Sequence, residues 1–431
     1  MSEEPQFVGR GPTLGAPDGE LSAPPATPSE RASARFEGFV VLFMAVAAAL
    51  GTSAIYVLQP AVGEVAQSLG TTVAAIGVAL AWGPIGYMVG LVALVPLVDR
   101  FAPGRVLAVQ FGVLAVSLGV SAMVHSVPLL AALVAITGAC SVVGAGMSSL
   151  TGKLASPRRR ASTLGIVTAG ISVGILAGRI IGGMLTEALG WQNMLFCFAA
   201  AGAVLAACCL LLIPSPPRTT RPRGYFTSIR SIPGLFVRHA ALRLAAIRGA
   251  LWFFAFCAVW AGLAVVLVQP PFSQSPEQVG LYALAGLSGL VATQIAGRWT
   301  DRVGARRVVV AGLTLALLAA IVLGFVLPNM AATMICLALF DAGLFAAQVA
   351  NQSTVLSIDP SSPARFNSGY MVVYFIGGSL GTAFGSAAIE WYGWTLTTVI
   401  SATLVFAAIA LTLARTSDTP KGGRRANTVM S

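Results

Sequence analysis

Two charged residues stand within long apolar stretches of the sequence, Asp341 and Arg179. An ionised carboxylate among apolar groups is unfavourable, so Asp341 should face a cavity or a partner, where it could take up and release a proton. The alternative for Asp341 is a structural hydrogen bond to a neighbouring helix. Arg179 could pair with Asp341, with Glu64 or with an anionic ligand, or its long side chain could extend toward water from near a helix end. The two residues therefore predict a proton-binding or ligand-binding centre.

The sequence offers few groups for other kinds of chemistry. It has no Gly-x-x-x-x-Gly-Lys-Ser/Thr loop, so we expect no bound nucleotide. The cysteines fall inside apolar blocks, and neither they nor the histidines have the spacing of metal ligands or of a catalytic triad. We therefore expect no enzyme, no metal and no cofactor. The residues concerned are Cys140, Cys197, Cys208, Cys209, Cys257, Cys336, His125 and His239.

The composition is that of a membrane protein. Of the 431 residues, 56% are hydrophobic and only 10% are charged, which is too little charge to cover the surface of a soluble protein. The apolar residues fall in blocks of about 20, the length that crosses a bilayer core as a helix. The basic residues, which give a net charge of +11, lie in short gaps between the blocks, and this argues against nucleic-acid binding. We predict an all-α polytopic protein with twelve transmembrane helices, at 38–58, 74–97, 105–124, 128–152, 162–186, 192–213, 247–269, 278–297, 307–327, 330–354, 367–388 and 394–414.

The charges between the spans predict which side of the membrane each gap faces. The odd-numbered gaps contain Glu64, Glu187, Glu277 and Glu390 but no lysine or arginine, whereas basic residues collect in the other gaps and in the tails. Apart from residues at the very ends of the assigned spans, Arg179 is the only basic residue that this assignment places in a span. Because positive charge is retained on the cytoplasmic side, both termini should be cytoplasmic, in a bacterial inner membrane.

A long, basic and proline-rich gap divides the twelve spans into two sets of six. The predicted domains are a disordered cytoplasmic tail at 1–36, an N-terminal six-helix bundle at 37–213, a cytoplasmic linker at 214–246, a C-terminal six-helix bundle at 247–414 and a second cytoplasmic tail at 415–431.

The two halves repeat each other at one offset. Asp99-Arg100 corresponds to Asp301-Arg302, and Gly190-Trp191 corresponds to Gly393-Trp394. Several matches at one offset indicate duplication, and two related six-helix halves place a binding site near the middle of the bilayer between them. Spaced glycines also match, namely Gly174, Gly178 and Gly182 in the fifth span and Gly377, Gly381 and Gly385 in the eleventh.

These features resemble the major facilitator superfamily over residues 38–414. The loop from Gly297 to Arg307 follows the family pattern Gly-x-x-x-Asp-Arg-x-Gly-x-Arg-Arg/Lys, and the loop from Pro96 to Arg105 is a degenerate copy without the leading glycine. Five glycines of the fifth span are similar to the signature of the drug:proton antiporter branch, with Arg179 at its proline position. The fourth-span arginine of that branch is absent, since residues 133–147 contain no charge. The five glycines are Gly165, Gly174, Gly178, Gly182 and Gly183.

Three further stretches are similar to bacterial purine-nucleoside and arabinose exporters, namely 56–60, 341–352 and 365–370. The resemblance implies a secondary active transporter that exports a small organic compound (a drug, nucleoside or sugar-like molecule) in exchange for protons, by alternating access. Import by proton symport or uniport is the alternative, and a non-transporting membrane receptor is a weaker one. We expect a monomer whose partners are a small-molecule substrate, protons and the lipid bilayer, with the proton gradient as energy source.

The resemblance also assigns roles to individual residues. The loops after the second and eighth spans should form a conformational latch, with Asp99 against the start of the eleventh span and Asp301 against the start of the fifth. Arg100, Arg302 and Gly304 would support this latch, and the glycines of the fifth and eleventh spans should let helices pack closely. Polar and aromatic residues of the spans should line the central cavity, although each aromatic could instead pack in the core or face lipid. The candidates for the cavity are Tyr56, Gln59, Ser141, Trp252, Phe256, Trp260, Gln348, Asn351, Tyr370 and Tyr374.

Overall fold

The computed structural model describes residues 28–154, 160–213, 232–359 and 363–414. All regular structure within these ranges is helical. The chain divides into two compact units at Phe39. The described part of the first unit is the beginning of the first helix, and the second unit contains all the other elements.

Parts of the predicted tails and linker fall outside the described residues. The tail predicted at 1–36 is helical from Pro28 onward, so this portion was wrongly predicted to be disordered. The linker predicted at 214–246 contains a helix from Ile232, and the seventh span begins at Ala240, about two turns earlier than expected. The remainder of both segments, and the tail predicted at 415–431, lie outside the described ranges.

The described chain contains ten helices that are long and apolar enough to cross a membrane, and a shorter apolar helix, Gly38–Ser53, lies where the first span was predicted. The last segment is long enough for two spans and is divided at Gly393, where the backbone leaves the helical conformation. The other segments, in order from the second span, are Val73–Ala93, Pro103–Ser121, Val127–Thr151, Ser162–Leu189, Trp191–Leu212, Ala240–Val268, Pro276–Val303, Ala305–Val326, Met330–Leu356 and Arg365–Leu413.

Several spans consist of more than one helix. The helices of the first half are Pro28–Ser53, Val62–Ser68, Val73–Leu80, Trp82–Ala93, Leu97–Arg100, Pro103–Ser121, Val127–Cys140, Val143–Leu154, Arg160–Leu189 and Trp191–Leu212. The helices of the second half are Ile232–Arg238, Ala240–Val268, Pro276–Leu281, the 3-10 helix Tyr282–Gly286, Leu287–Val303, Ala305–Val326, Met330–Leu356 and Pro363–Leu413.

The first span ends in a series of turns that exposes polar groups to the interior of the protein. Regular helix stops at Ser53, and the chain then turns through Tyr56 and Gln59, whose backbone N–H donates to the Tyr56 carbonyl at 3.1 Å. Irregular backbone at membrane depth is tolerated only where it is buried in protein or lines a cavity. Pro60, which has no N–H to donate, follows directly and limits any continuation of the helix.

Matching glycines hold the spans of each half together. In the fifth span, a Cβ at Gly178 would lie 2.6 Å from the Ser53 carbonyl oxygen, and one at Gly182 would lie 2.6 Å from that of Val57. In the eleventh span, a Cβ at Gly381 would collide with the Phe254 carbonyl of the seventh span. Only glycine permits these close helix approaches. The fifth span therefore packs on the first as the eleventh packs on the seventh, which is the relation that the internal repeat requires.

The two ends of the helical assembly differ in how closely the halves approach. We call the end with Glu64, Glu187, Glu277 and Glu390 the acidic end, and the opposite end the basic end. At the acidic end, a Cβ at Gly183 would collide with the Pro276 carbonyl of the other half, and one at Gly280 would lie 2.6 Å from the Arg179 carbonyl. Toward the basic end of the fifth span, Gly165 has no atom of the described chain within 4 Å of a Cβ position, and Leu164 and Ile166 are exposed. The halves are thus in close contact at the acidic end, whereas Gly165 near the basic end of the fifth span has no such contact within the described chain.

Candidate functional site

A cavity of about 150 Å³ lies between the two halves. Residues of the first, second, fifth, seventh, tenth and eleventh spans contribute to its wall. Six of the residues singled out from the sequence line it, namely Tyr56, Gln59, Arg179, Phe256, Trp260 and Tyr374.

Arg179 is the charged residue in the wall of this cavity. Its Nε–H donates to Oε1 of Gln59 at 2.7 Å. The guanidinium carbon lies 4.8 Å from the centre of the Tyr56 ring and 4.4 Å from that of Trp260. Cation–π contacts of this kind are worth about 2 kcal/mol when they are desolvated. Arg179 is only 6% exposed, so these contacts partly compensate the burial of its charge.

Asp341 lies directly behind this wall. Its side chain is 2% exposed, and its Oδ1 accepts a hydrogen bond from the indole Nε1–H of Trp260 at 3.1 Å. A Cβ at Gly286 would lie 3.5 Å from Oδ2, so the eighth span covers the other side of the carboxyl group. The carboxyl group is therefore enclosed by protein rather than by lipid.

Trp260 connects the two charged groups of the centre. One face of its ring contacts the guanidinium of Arg179, and its N–H binds Asp341. Within the described chain, Asp341 and Arg179 make no direct ion pair, and Glu64 does not contact Arg179. A change at either charged group can therefore reach the other through the position of one indole ring.

An aromatic layer borders the cavity on the side of the second half. The rings of Phe253 and Tyr374 stack with centres 3.9 Å apart, and Trp252 meets Tyr374 edge-on at 5.0 Å. Tyr87 of the second span and Phe375 of the eleventh approach to 4.9 Å and join the halves. Sequence reasoning missed Tyr87, Phe253, Phe375, Cys257, Thr52 and Thr382 as lining residues, because it did not fix which side of each helix faces inward.

Five predicted cavity residues lie away from this cavity wall, namely Ser141, Trp252, Gln348, Asn351 and Tyr370. Ser141 donates to the Thr137 carbonyl within its own span at 2.8 Å. Trp252 packs behind Tyr374, and its indole N–H is buried without a hydrogen-bond partner among the described residues. Gln348 and Asn351 both form hydrogen bonds with the hydroxyl group of Tyr370, in a separate polar cluster.

A buried polar cluster joins the seventh, tenth and eleventh spans. Asn351 donates to the Ala245 carbonyl at 3.0 Å and to the Tyr370 hydroxyl at 3.2 Å, and that hydroxyl donates to Gln348 at 2.6 Å. Oδ1 of Asn351 accepts from Nε and Nη2 of Arg248. Tyr370, like the two amides, was predicted to line the cavity but lies in this cluster instead.

The expectation that Arg179 is the only basic residue within a span is wrong. Arg248 lies nine residues into the helix Ala240–Val268 and is 7% exposed. It was overlooked because the predicted span began almost at this position, whereas the helix starts about two turns earlier. Its hydrogen bonds to Asn351 and Thr412 stabilise the charge inside the second half.

The residues predicted to form a latch lie toward the basic end. Asp301 and Arg302 are exposed, and Asp301 makes no ion pair within the described chain. The side chain of Asp99 lies outside the described residues, and Arg100 is half-buried. Gly304 joins the eighth and ninth spans with φ of 90°, which is unfavourable for other residues. The predicted contacts of the latch with the fifth and eleventh spans remain predictions.

A titratable group stands at the acidic end, outside the spans. Partial burial raises the pKa of Glu64 above its usual range, a hydrogen bond from the Trp191 backbone N–H lowers it, and the negative charge of Glu187 raises it. Glu64 belongs to the short helix Val62–Ser68, and a Cβ at the adjacent Gly63 would lie 3.3 Å from Val268 of the second half. This carboxyl group therefore lies next to the region where the halves meet.

Comparison with known proteins gives consistent results. The model of the Major Facilitator Superfamily matches residues 41–274 and 251–429. "Uncharacterized transporter YgaY" of Escherichia coli O157:H7 is 28% identical over 365 residues, which cover 85% of this chain and 92% of the relative. "Probable transporter SCO4007" of Streptomyces coelicolor is 29% identical over 387 residues, covering 88% and 90%. The inward-facing, unoccupied crystal structure of a bacterial homologue of the human lysosomal transporter Spinster superposes with a TM-score of 0.71 at 16% identity, covering 88% of this chain and 96% of that one, and so shares the fold.

Proposed function

This chain belongs to the major facilitator superfamily and is a multi-pass membrane transporter, and we propose that it carries a small organic compound by alternating access, coupled to protons through Asp341. The observation that supports this most directly is the cavity between the two halves, with Arg179 in its wall and Asp341 enclosed directly behind it. The halves are in close contact at the acidic end, which suits one of the two states of such a cycle.

Asp341 is proposed as the coupling group because its protonation changes the contact on which the wall depends. When the carboxylate is ionised, it accepts a hydrogen bond from Trp260 and attracts the cation beyond the indole ring. When it is protonated, both interactions weaken and Trp260 is free to shift. Because the ring forms part of the cavity wall, proton binding alters the site that the substrate occupies.

Export in exchange for protons is the first coupling scheme. It follows from the resemblance of the fifth-span glycines to the drug:proton antiporter branch. Exchange requires that substrate and proton compete, so the substrate would have to interact favourably with the ionised form of Asp341. A compound with a positive charge or with hydrogen-bond donors meets this requirement.

Movement of substrate and proton in the same direction is the second scheme, and the position of Arg179 favours it. A negatively charged group bound to Arg179 would lie close to Asp341 and repel its ionised form. Anion and proton would then bind cooperatively, which is the condition for symport.

The membrane arrangement is also part of the proposal. We place both termini and the basic end in the cytoplasm of a bacterial inner membrane, because cationic loops are retained on that side. The six-helix halves at 37–213 and 247–414 would act as the two moving bodies within a single monomer. Labelling of an added cysteine at Arg302 in intact cells by a membrane-impermeant reagent would argue against this orientation.

Flux in proteoliposomes of known orientation tests the proposal. We would measure uptake of radiolabelled adenosine, arabinose and benzoate under an imposed proton gradient of either direction. Movement of at least one compound that follows the gradient is expected, and its direction distinguishes the two schemes. If no compound moves and none shifts the melting temperature of the purified protein, transport of these classes is excluded; a compound that shifts the melting temperature but does not move would support a receptor role.

A further inference from the structure

Arg179 presents two unused hydrogen-bond donors to the cavity. Gln59 occupies its Nε–H, and no described group accepts a hydrogen bond from its two terminal nitrogens. The residue is only 6% exposed, yet these nitrogens are not sealed inside the protein, so their open side is the cavity that Arg179 lines. The two nitrogens are therefore available to a ligand that accepts hydrogen bonds from both of them.

The geometry of the guanidinium group selects the kind of acceptor. Tyr56 and Trp260 both lie against the guanidinium group, and Gln59 holds its Nε–H. The terminal nitrogens therefore point outward from a fixed plane. A carboxylate matches two parallel N–H donors, forming a pair of charge-assisted hydrogen bonds. A neutral amide offers one acceptor oxygen to the same two donors and carries no charge.

The remaining wall selects a flat, ring-shaped body. Phe253, Phe256 and Tyr374 border the cavity with aromatic faces and edges, which favour contact with another aromatic ring. The hydroxyl groups of Tyr56 and Tyr87 make no hydrogen bond to a described residue and can bind polar substituents. The volume of about 150 Å³ equals that of an engineered cavity which binds benzene.

We infer that the substrate is a small aromatic carboxylate, with its anionic group held by the two terminal nitrogens of Arg179 and its ring held between the aromatic side chains of the cavity. This inference deepens the proposed transport function and rests on it for the role of the site. It also favours the second coupling scheme, in which the anion and a proton move together.

Three compounds of one shape and three charges test the inference. Benzoate, benzamide and benzamidine are nearly isosteric and planar. At neutral pH benzoate is negative, benzamide is neutral and benzamidine is positive. Calorimetric titration of the full chain in detergent at pH 7 should show benzoate binding in the millimolar range or tighter. Benzamide should bind about ten- to hundred-fold more weakly, which is the usual effect of losing hydrogen bonds to a charged group. Benzamidine should not bind, because its charge repels Arg179.

Two variants assign the preference to Arg179. Arg179→Gln should reduce benzoate affinity to that of benzamide, and Arg179→Lys should keep the preference for the anion in weaker form, because it keeps the charge without the flat pair of donors. Arg243→Gln, which changes an exposed arginine of the seventh span, is the matched control and should leave all three affinities unchanged.

Several results would overturn the inference. They are equal binding of benzoate and benzamide, preference for benzamidine, unchanged benzoate affinity in Arg179→Gln, and no binding of any of the three compounds. If Arg179→Gln fails to fold, the ranking in the parent chain and in Arg179→Lys decides. Charge-selective binding without flux would contradict the transport proposal alone, whereas proton-driven flux of adenosine or arabinose without anion preference would contradict this inference alone.

Discussion

Closure of the acidic end depends on the absence of a side chain at Gly183. A Cβ at this position would lie 3.3 Å from the Cα of Glu277 and would collide with the Pro276 carbonyl oxygen, which is backbone and cannot rotate away. Gly183→Ala should therefore force the halves apart at this end. Overpacking of this kind costs about 1–3 kcal/mol, which shifts a two-state equilibrium about 5- to 150-fold toward the state that is open at the acidic end.

Gly165→Ala is the matched control on the same span. A Cβ there meets no atom of the described chain within 4 Å, so the substitution should leave the equilibrium in place. Spin labels on cysteines at Leu189 and Trp391, one in each half and both exposed at the acidic end, would report the separation by pulsed electron resonance. The six native cysteines would first be replaced by serine. We expect a longer inter-label distance in Gly183→Ala than in the parent or in Gly165→Ala. The same distance distribution in all three proteins would refute the assignment of the closed end.

Three other changes have defined outcomes. Trp260→Phe removes the indole N–H that binds Asp341 but keeps an aromatic ring beside Arg179. Substrate-driven proton movement should therefore fall, while benzoate affinity stays within a few-fold of the parent value. The control Trp252→Phe removes an N–H without a described partner and should have little effect on either quantity. Asn351→Ala removes the acceptor of two bonds from the buried Arg248 and should destabilise the protein by about 1–3 kcal/mol, measured as a lower melting temperature. Because the pKa of Glu64 is raised in the folded protein, the contribution of this carboxyl group to stability is greatest at low pH. That contribution is lost as the pH rises above the ordinary glutamate value of about 4.3. Glu64→Gln should therefore flatten this part of the profile of melting temperature against pH.

Matched surface changes serve as controls for the last two predictions. Asn193→Ala removes an exposed amide whose hydrogen bond is local, and Glu390→Gln neutralises an exposed carboxylate at the acidic end. A melting temperature for Asn351→Ala equal to that of Asn193→Ala would show that the buried cluster does not stabilise the second half. An unchanged pH profile in Glu64→Gln would show that this carboxyl group titrates as it does in the unfolded chain.

Hydropathy predicted the spans well because the bilayer imposes their length and composition. Each span needs a run of apolar residues, and that constraint is visible in the sequence without knowledge of packing. The break at Gly393 and its counterpart at Gly190 were also visible, since both glycines occupy matching positions of the repeat. In the structure both have positive φ.

The arrangement of the site was harder to predict because it depends on the rotation of each helix. The sequence identified Asp341 and Arg179 as the important charges but left their partners open, and the indole of Trp260 between them could not be inferred from spacing. Arg248 was not recognised as a buried residue of the seventh span and Asn351 was assigned to the cavity, whereas they are bonded to each other inside the second half. Apolar periodicity was of little help, because helices in a membrane bundle are apolar on nearly every face.

The central claim is that Asp341 couples protons to movement of the substrate. The most direct measurement compares the parent chain with Asp341→Asn in proteoliposomes, using benzoate both in exchange without a gradient and in accumulation driven by a proton gradient. Retained exchange with loss of gradient-driven accumulation in Asp341→Asn, and neither effect in Glu390→Gln, is the result we predict. Gradient-driven accumulation in Asp341→Asn at the level of the parent chain would contradict the claim.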